Sequence, residues 1–246
     1  MDDVSEALLE AREDVARFLM SYRFAIDTLL LKVNLLNEEF RYAHDHNPIE
    51  HVGSRLKSPA SILAKARRRG VALDLDSIAQ EILDIAGIRV TCSFISDTYT
   101  IRDMLSGRED IRVMEERDYI RSPKPNGYRS LHLLVRTPVR MSDRTVEVPV
   151  EIQIRTIAMD FWASLEHKIY YKYGKSVPQG LLDELRSAAG TANRLDVTME
   201  RLHDEVRDLG DRSQEPLPGP DDLRRIPLAD ELLGALADRV NSRRTD

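Results

Sequence analysis

The stretch GIRVTCS, Gly87–Ser93, alternates apolar and polar residues from one position to the next. Ile88, Val90 and Cys92 fall on one side of an extended chain, and the polar residues fall on the other. A period of two residues predicts a β-strand with one face against a core. The preceding segments repeat their apolar residues every three or four positions, so this stretch marks the change from helix to sheet.

The same two-residue period returns in VEIQIR, Val150–Arg155. Glu151, Gln153 and Arg155 share one face of this predicted strand, and the apolar residues share the other. A polar strand face this regular indicates a ligand site. The remaining elements of the middle of the chain are predicted as a helix near 97–105 and strands near 111–117, 130–137 and 145–155. The expected fold class is α+β, with a mixed β-sheet at its centre.

Long helices are predicted on both sides of the sheet region. Apolar residues at three- and four-residue spacing predict a helix over about 4–42, and similar stripes predict helices over 157–173 and 181–209. Three prolines and a glycine within 216–220 predict a linker before a short tail helix. The chain accordingly divides into an N-terminal helical extension at 1–46, a sheet-bearing domain at 47–175, a C-terminal helical region at 176–212, and the linker with its tail helix at 213–246.

Shorter helices are predicted between the long N-terminal helix and the sheet. Ser58 and Pro59 fit the N-cap and first position of a helix that ends at Gly70. Another short helix is expected near 75–83. The turn-forming residues before Ser58 predict a loop, and they are Asn47, Pro48 and Gly53.

The composition excludes several classes of protein. The chain has 246 residues, a net charge of −6 and a single cysteine. No window approaches the roughly 20 apolar residues of a membrane span, and the acidic start lacks the basic segment of a signal peptide. We therefore expect a cytoplasmic protein without membrane attachment. Because proteins that coat nucleic acid are usually basic, no obligatory nucleic-acid partner is expected.

Two short segments are nevertheless strongly basic. Residues 55–69 contain six lysines and arginines and no acid, and residues 117–132 contain four against one acid. Ser61, Lys65 and Arg68 lie at i, i+4 and i+7 on one face of the predicted helix, where they can follow a triphosphate. The alternative is a solvated basic helix. The missing acids count against it, because exposed helices usually interleave acids with basic residues.

Two carboxylates are the predicted metal ligands. Asp84 closes the short helix near 75–83, and Glu151 lies on the polar strand face. In phosphoryl transfer, Mg²⁺ takes few protein carboxylates and fills its other positions with phosphate oxygens and water. Two acids therefore suffice. The alternative is that Asp84 caps a helix and that Glu151 pairs with an arginine on a neighbouring strand.

The run DYIRSPKPNGYRSLH, 118–132, joins two predicted strands through a turn rich in proline and glycine. Lys124 can neutralise phosphate, and Tyr128 offers a flat face for stacking on a base. Asn126 and His132 supply hydrogen-bonding groups. This combination predicts a nucleotide cleft. The alternative is an ordinary hairpin whose tyrosine packs on the core.

Four stretches resemble, in order, the synthetase motifs of the RelA/SpoT family. They are RLKSPASILAK at Arg55–Lys65, DIAGIRV at Asp84–Val90, DYIRSPKPNGYRSLH at 118–132, and EIQIRTIAMDFWASLEHKIYYKY at Glu151–Tyr173. Members of the family transfer the β,γ-pyrophosphate of ATP to the 3'-hydroxyl of GTP or GDP, and release AMP. The resemblance implies this GTP diphosphokinase activity, a role in stringent-response signalling through (p)ppGpp, Mg²⁺ as cofactor, and a nucleotidyltransferase-like fold of the polymerase-β type.

The resemblance also implies roles for individual residues. Asp84 and Glu151 match the Mg²⁺-binding acids, and Glu151 is similar to the residue that activates the attacking hydroxyl. Tyr128 matches the tyrosine that stacks on guanine. ATP would be bound by Arg55 and Arg89 at the adenine and by Lys57, Ser61, Lys65 and Arg68 at the phosphates. The guanine nucleotide would be surrounded by Arg117, Lys124, Asn126, His132 and Gln153.

The length of the chain bears on its place within the family. Bifunctional members carry a hydrolase domain ahead of the synthetase, and 246 residues leave no room for one. We therefore expect a small alarmone synthetase without hydrolase activity. The stretch 151–173 is similar to the RelP-like branch, which implies a homotetramer with the long flanking helices at its interfaces.

Three other functions are alternatives, and the sequence counts against each of them. A nucleotidyltransferase that moves a nucleoside monophosphate needs Gly-Ser followed by paired aspartates, whereas Gly53-Ser54 leads to Arg55. A P-loop kinase needs a Walker A sequence, which the chain lacks. A nucleotide-sensing or RNA-binding module without catalysis is the third, although the presence of Asp84 and Glu151 favours an enzyme.

Overall fold

A computed structural model of the chain describes residues 2–44, 46–173 and 177–212. The predicted linker and tail helix at 213–246 lie outside these ranges. A five-stranded mixed sheet with long flanking helices forms the centre of the molecule, which confirms the predicted α+β class. Within the described ranges, no helix combines the length and apolar character that crossing a membrane requires.

The helices and strands follow one another in an irregular order. They are α1 (Asp2–Ala43), β1 (Ile49–Leu56), α2 (Pro59–Arg69), α3 (Leu75–Glu81), β2 (Ala86–Cys92), α4 (Ile95–Ser106), β3 (Arg112–Asp118), β4 (Leu131–Arg140), β5 (Thr145–Thr156), α5 (Ile157–Tyr173) and α6 (Gln179–Arg212). The helices and strands predicted within the described ranges are present, with ends that differ by a few residues. The Ser58 hydroxyl accepts from the Ser61 backbone amide as the predicted N-cap of α2, and Gly70 ends that helix in the left-handed conformation.

Strand β1 was predicted as a loop, and this prediction was wrong. Its backbone pairs antiparallel with β2, from Ile49 opposite Cys92 to Leu56 opposite Ala86. Strand β1 lies at the edge of the sheet, and the burial of its side chains does not alternate along the strand. Its sequence accordingly carries no two-residue period of apolar residues. Arg55 therefore lies on the edge strand of the sheet, opposite Gly87 of β2.

The register of the sheet brings distant polar residues into one row. The strand order is β1-β2-β5-β4-β3, with β2 and β5 parallel and the other neighbours antiparallel. Arg89 lies opposite Gln153, Gln153 opposite His132, and His132 opposite Arg117. Side chains at one level project to the same face of a sheet. Four predicted site residues from four strands therefore share one face.

The opposite face of the sheet carries the core. Ile88, Ile152 and Leu133 lie side by side on β2, β5 and β4, and all three are buried. Helix α1 contacts β1, β2, β4 and β5, and it buries Ile26 and Leu29 in the same cluster. Each such side chain contributes about 2 kcal/mol on burial. This packing fixes the sheet on one side and leaves its polar face open.

Helices α5 and α6 pack against each other beside the polar face. Trp162 and Ala189 are buried together, and the Trp162 indole donates to the Leu185 carbonyl at 2.9 Å. Gly127, in the 118–132 loop, has a φ of 91°, and a Cβ built there would lie 2.5 Å from Ala189 Cβ. Only glycine fits this approach, so the loop is held directly against α6.

Candidate active site

Two adjoining cavities open on the polar face of the sheet. The larger has a volume of about 570 Å³, within the usual range of small-molecule sites, and the smaller about 100 Å³. Both are lined by Asp84 and Glu151. The other predicted site residues in the larger cavity are Arg55, Lys57, Arg89, Tyr128 and Gln153, and those in the smaller are Lys65, Arg117 and His132.

Asp84 lies in the turn between α3 and β2 and is held by two lysines. Its Oδ2 accepts from Lys57 Nζ at 2.6 Å and from Lys65 Nζ at 2.5 Å. Burial acts to raise the pKa of Asp84, but the two lysine contacts outweigh burial and hold the pKa below its usual value. Helix α3 ends at Glu81, so Asp84 does not close it as predicted, and the capping alternative is wrong as well.

The second carboxylate oxygen of Asp84 is a candidate metal ligand. Asp84 Oδ1 is buried and has no hydrogen-bond partner among the described residues. The charge of Asp84 also acts to raise the pKa of Glu151, so the two carboxylates repel each other across the junction of the cavities. A free carboxylate oxygen beside a second acid fits a divalent cation. The part of the chain that the structure describes has no cluster of three or more such ligands, so substrate oxygens and water would complete the shell.

Glu151 is oriented by two polar side chains. Its Oε1 lies 3.1 Å from His132 Nδ1, and its Oε2 accepts from Gln153 Nε2 at 2.9 Å. Burial acts to raise the pKa of Glu151, but the contacts with His132 and Gln153 outweigh burial and leave the pKa below its usual value. The carboxylate is therefore ionised at neutral pH. Neither partner is an arginine, so the alternative in which Glu151 pairs with an arginine on a neighbouring strand is wrong.

Tyr128 connects His132 to a buried arginine. Its hydroxyl lies 2.7 Å from His132 Nε2 and accepts from Arg155 Nη2 at 2.7 Å. Because a guanidinium can only donate, the Tyr128 oxygen accepts from Arg155, and the Tyr128 hydrogen is free to point towards His132 Nε2. Burial raises the pKa of Tyr128 even though Arg155 lies beside it, so the hydroxyl stays protonated.

The ring of Tyr128 has two kinds of neighbour. Lys124 Nζ lies 4.6 Å from its centroid and 4.5 Å from that of Tyr119, which places a cation on the aromatic pair. The ring also packs against the small cluster of Trp162 and Ala189. Tyr128 therefore lines the larger cavity, as a nucleotide cleft requires, and also packs on a hydrophobic cluster, as the hairpin alternative predicts. A base stacked on the face that Lys124 covers would displace the lysine.

Four predicted ligands line neither cavity. Asn126 orders the loop instead, because its side chain donates to Glu166 at 3.1 Å and accepts from the Tyr128 amide at 3.2 Å. Arg68 is exposed, and the Ser61 hydroxyl accepts from Ser58. Lys124 lies on the aromatic pair described above. Arg117 lines the smaller cavity but pairs with Glu115. The predicted contacts with nucleotides stay predictions for all of the site residues, including those that line the cavities.

The structure adds site residues to which sequence reasoning gave no role. Arg155 is 4% exposed and donates to Tyr128, Gln153 and Asp160. The alternation at 151–155 placed Arg155 on the polar face and was the signal that indicated it. Asp160, in the first turn of α5, carried no such signal. Helix α5 also supplies Glu166, His167 and Lys168 to the wall of the larger cavity.

A family model, curated proteins and solved structures that are similar to this chain all belong to one group of proteins. The family described as a region found in RelA/SpoT proteins matches residues 54–176. The GTP pyrophosphokinase YwaC of Bacillus subtilis is 48% identical over 206 residues, which cover 84% of this chain and 96% of YwaC. The crystal structure of small alarmone synthetase 2 from B. subtilis is 49% identical with a TM-score of 0.72, covering 78% of this chain and 99% of that one. Small alarmone synthetase 1 from B. subtilis, bound to its product pppGpp, is 42% identical with a TM-score of 0.75, covering 79% of this chain and 99% of that one.

The chain therefore belongs to the RelA/SpoT family. Its similarity extends over nearly the whole length of small alarmone synthetases, so the predicted resemblance and fold are confirmed. None of these matches assigns a role to an individual residue of this chain.

Proposed function

We propose that the chain is a (p)ppGpp synthetase that transfers the β,γ-pyrophosphate of ATP to the 3'-hydroxyl of GTP or GDP and releases AMP. The main observation behind the proposal is that Asp84 and Glu151 line both cavities and so mark the place where the cavities join. Two ionised carboxylates stand where a donor and an acceptor would meet, with basic residues around them. The names of the similar proteins, a GTP pyrophosphokinase and a synthetase bound to pppGpp, support the same reaction.

The two substrates divide the cleft between them. Arg55 and Arg89, on β1 and β2, would hold the adenine of ATP, with Lys57 and Lys65 at its phosphates. Burial lowers the pKa of Lys57, and the neighbouring charges of Lys65 and Arg55 lower it further against the effect of Asp84. A polyphosphate would relieve this repulsion between cations. The remaining ATP ligands would be Ser61 and Arg68, and the guanine nucleotide would contact Arg117, Lys124, Asn126, Tyr128, His132 and Gln153.

Glu151 is the proposed general base. The 3'-oxygen of the guanine nucleotide attacks the β-phosphorus of ATP, the bond from that phosphorus to the oxygen shared with the α-phosphorus breaks, and AMP leaves. The hydroxyl proton passes to Glu151, which is ionised and held by His132 and Gln153. Asp84 and Glu151 would hold Mg²⁺, which neutralises charge on the phosphates when it is bound.

The proposal extends to the organisation of the chain. Residues 47–175 would form the synthetase domain, flanked by helical regions at 1–46 and 176–212. The assembly would be a homotetramer, supported by an apolar groove of about 1170 Å³ between α5 and α6 in which Phe161 is 66% and Leu195 55% exposed. Light scattering would test this, with a Leu195→Arg variant expected to form smaller species. Because ATP and guanine nucleotides are cytoplasmic substrates, the expected location is the cytoplasm.

The decisive experiment uses purified protein, Mg²⁺, ATP labelled on its γ-phosphate, and either GTP or GDP. We expect a labelled guanosine polyphosphate and an equal amount of AMP. Absence of both products under these conditions would refute the proposal. Strong, salt-dependent RNA binding without AMP release would favour the non-catalytic module instead.

A further inference from the structure

One carboxylate oxygen joins two arginines at the edge of the cleft. Asp160 Oδ1 lies 3.1 Å from Arg89 Nη1 and accepts from Arg155 Nη1 at 3.0 Å. Asp160 itself does not line either cavity, whereas both arginines line the larger one. Its effect on a bound nucleotide must therefore pass through the two side chains that it holds.

The two arginines belong to different halves of the cleft. Arg89 lies on β2 with its side chain 43% exposed, on the wall assigned to the adenine of ATP. Arg155 lies on β5 with its side chain 5% exposed, and it donates to the hydroxyl of Tyr128, the residue assigned to the guanine. Asp160 is thus a single anion between a donor-side cation and an acceptor-side cation.

We infer that Asp160 is a positioning residue that couples ATP binding to guanine-nucleotide binding, an inference that rests on the proposed function. A guanidinium that stacks on a base must hold one plane, and the contact with Asp160 restricts the plane of Arg89. The same oxygen accepts from Arg155, whose other partners are Tyr128 and Gln153. A nucleotide that orders one arginine therefore orders the other as well. The second nucleotide then binds with a smaller loss of conformational entropy, because the side chains it contacts are already ordered.

The coupling has a continuous physical route to the catalytic carboxylate. From Arg155 it continues to the Tyr128 hydroxyl at 2.7 Å and to His132 Nε2 at 2.7 Å. His132 Nδ1 then lies 3.1 Å from Glu151. Binding of the adenine of ATP at Arg89 would in this way restrict the motion of Glu151, the proposed general base.

Asp160 carries the charge on which this route depends. Without it, Arg155 would keep Tyr128 and Gln153, which are neutral, as its partners. A buried cation with only neutral partners is unfavourable, and Arg89 would lose its tether. The position at the start of α5 also suits an acid, because the positive end of the helix dipole lies there.

Calorimetry on the full chain tests the coupling without turnover. The affinity for GDP is measured with and without an ATP analogue that has a methylene bridge between its α- and β-phosphates. We expect the analogue to tighten GDP binding at least fivefold in the wild type and less than twofold in Asp160→Asn. Asp160→Glu, which keeps the charge, should recover part of the effect. Asp183→Asn removes an exposed acid that pairs with Arg186 and should retain the full ratio.

Several outcomes would overturn the inference. One is a wild-type ratio near one in an enzyme that makes product, and another is an Asp160→Asn variant that keeps the wild-type ratio. If Asp160→Asn does not fold, Arg155→Lys replaces it, since lysine keeps the charge but cannot bridge Tyr128 and Asp160 with a planar fork. Retained coupling in that variant would equally count against Asp160. A wild-type protein without synthesis would instead refute the proposed function, a result that the activity assay reports separately.

Discussion

Glu151 Oε1 and His132 Nδ1 lie 3.1 Å apart on neighbouring strands, at the junction of the two cavities. The contact fixes the direction of the carboxylate, and the Tyr128 hydroxyl, 2.7 Å from His132 Nε2, holds the imidazole in place from its other side. The proposed base is thereby held where it lines both cavities. The geometry therefore makes Glu151 the residue on which the chemistry should depend most.

Glu151→Gln is expected to lower kcat at least a hundredfold and to leave the binding of both nucleotides nearly unchanged. Glutamine has the same shape but cannot accept the proton. Steady-state kinetics and calorimetry measure the two effects. Glu147→Gln removes an exposed acid from the same strand and should turn over normally. Normal turnover by Glu151→Gln would remove the base assignment.

The sequence predicted which side chains line the cavities better than it predicted how they come together. The types and spacing at 84–90 and 151–155 indicated two acids and a polar strand face. That Asp84 and Glu151 line the same cavities follows from the parallel pairing of β2 with β5, in which Gly87 lies opposite Glu151. Pairing between distant strands leaves no periodic trace in either segment, so spacing alone does not reveal it.

The errors have similar physical causes. Strand β1 owes its structure to backbone hydrogen bonds with β2 rather than to an alternating pattern, so Asn47, Pro48 and Gly53 suggested a loop. The sequence did not indicate a role for Asp160, because acids are common in the first turn of a helix. Only the folded chain brings Asp160 between Arg89 and Arg155. Local patterns identify elements, whereas partners depend on the packing of the whole domain.

Tyr128→Ala is expected to raise the KM for the guanine nucleotide about tenfold or more, because a stacked base is worth about 1–3 kcal/mol. The KM for ATP should change less. Tyr128→Phe keeps the ring but loses the contacts with His132 and Arg155, so it should lower kcat more than it raises that KM. Initial-rate kinetics separate these effects, with Tyr42→Ala as an exposed tyrosine control. Equal increases of both KM values in Tyr128→Ala would contradict the assignment to guanine.

Gly127→Ala is expected to destabilise the fold by about 1–3 kcal/mol and to raise the KM for the guanine nucleotide. The new Cβ would face Ala189 Cβ at 2.5 Å in a backbone conformation with a φ of 91°, so the loop that carries Tyr128 must move. Urea unfolding and kinetics measure the two effects. Gly180→Ala, with no atom within 4 Å of the added Cβ, is the matched control. Adding Ala189→Gly should recover the part of the loss that the clash causes, and no recovery would place the whole cost in the backbone.

Asp196, which lies outside the proposed site residues, is expected to make the stability of the fold depend on pH. Burial raises the pKa of Asp196 to about 6, although the Thr156 hydroxyl donates to it at 2.8 Å. The unfolded carboxyl has a pKa near 3.8, so above about pH 6 folding must bury a charge, whereas below about pH 4 the group is neutral in both states. The stability contribution of Asp196 is therefore lost as the pH rises from about 4 to about 6.

Asp196→Asn, which resembles the protonated acid, should raise the free energy of unfolding at pH 7.5 by up to about 3 kcal/mol. The same substitution should have little effect near pH 4. Urea titrations of variant and wild type at several pH values give this difference directly. Asp208→Asn changes an exposed acid on the same helix and should give a small difference that does not vary with pH. A variant that is no more stable than the wild type at pH 7.5 would mean that Asp196 is ionised in the folded protein without cost, and that the Thr156 contact compensates for its burial.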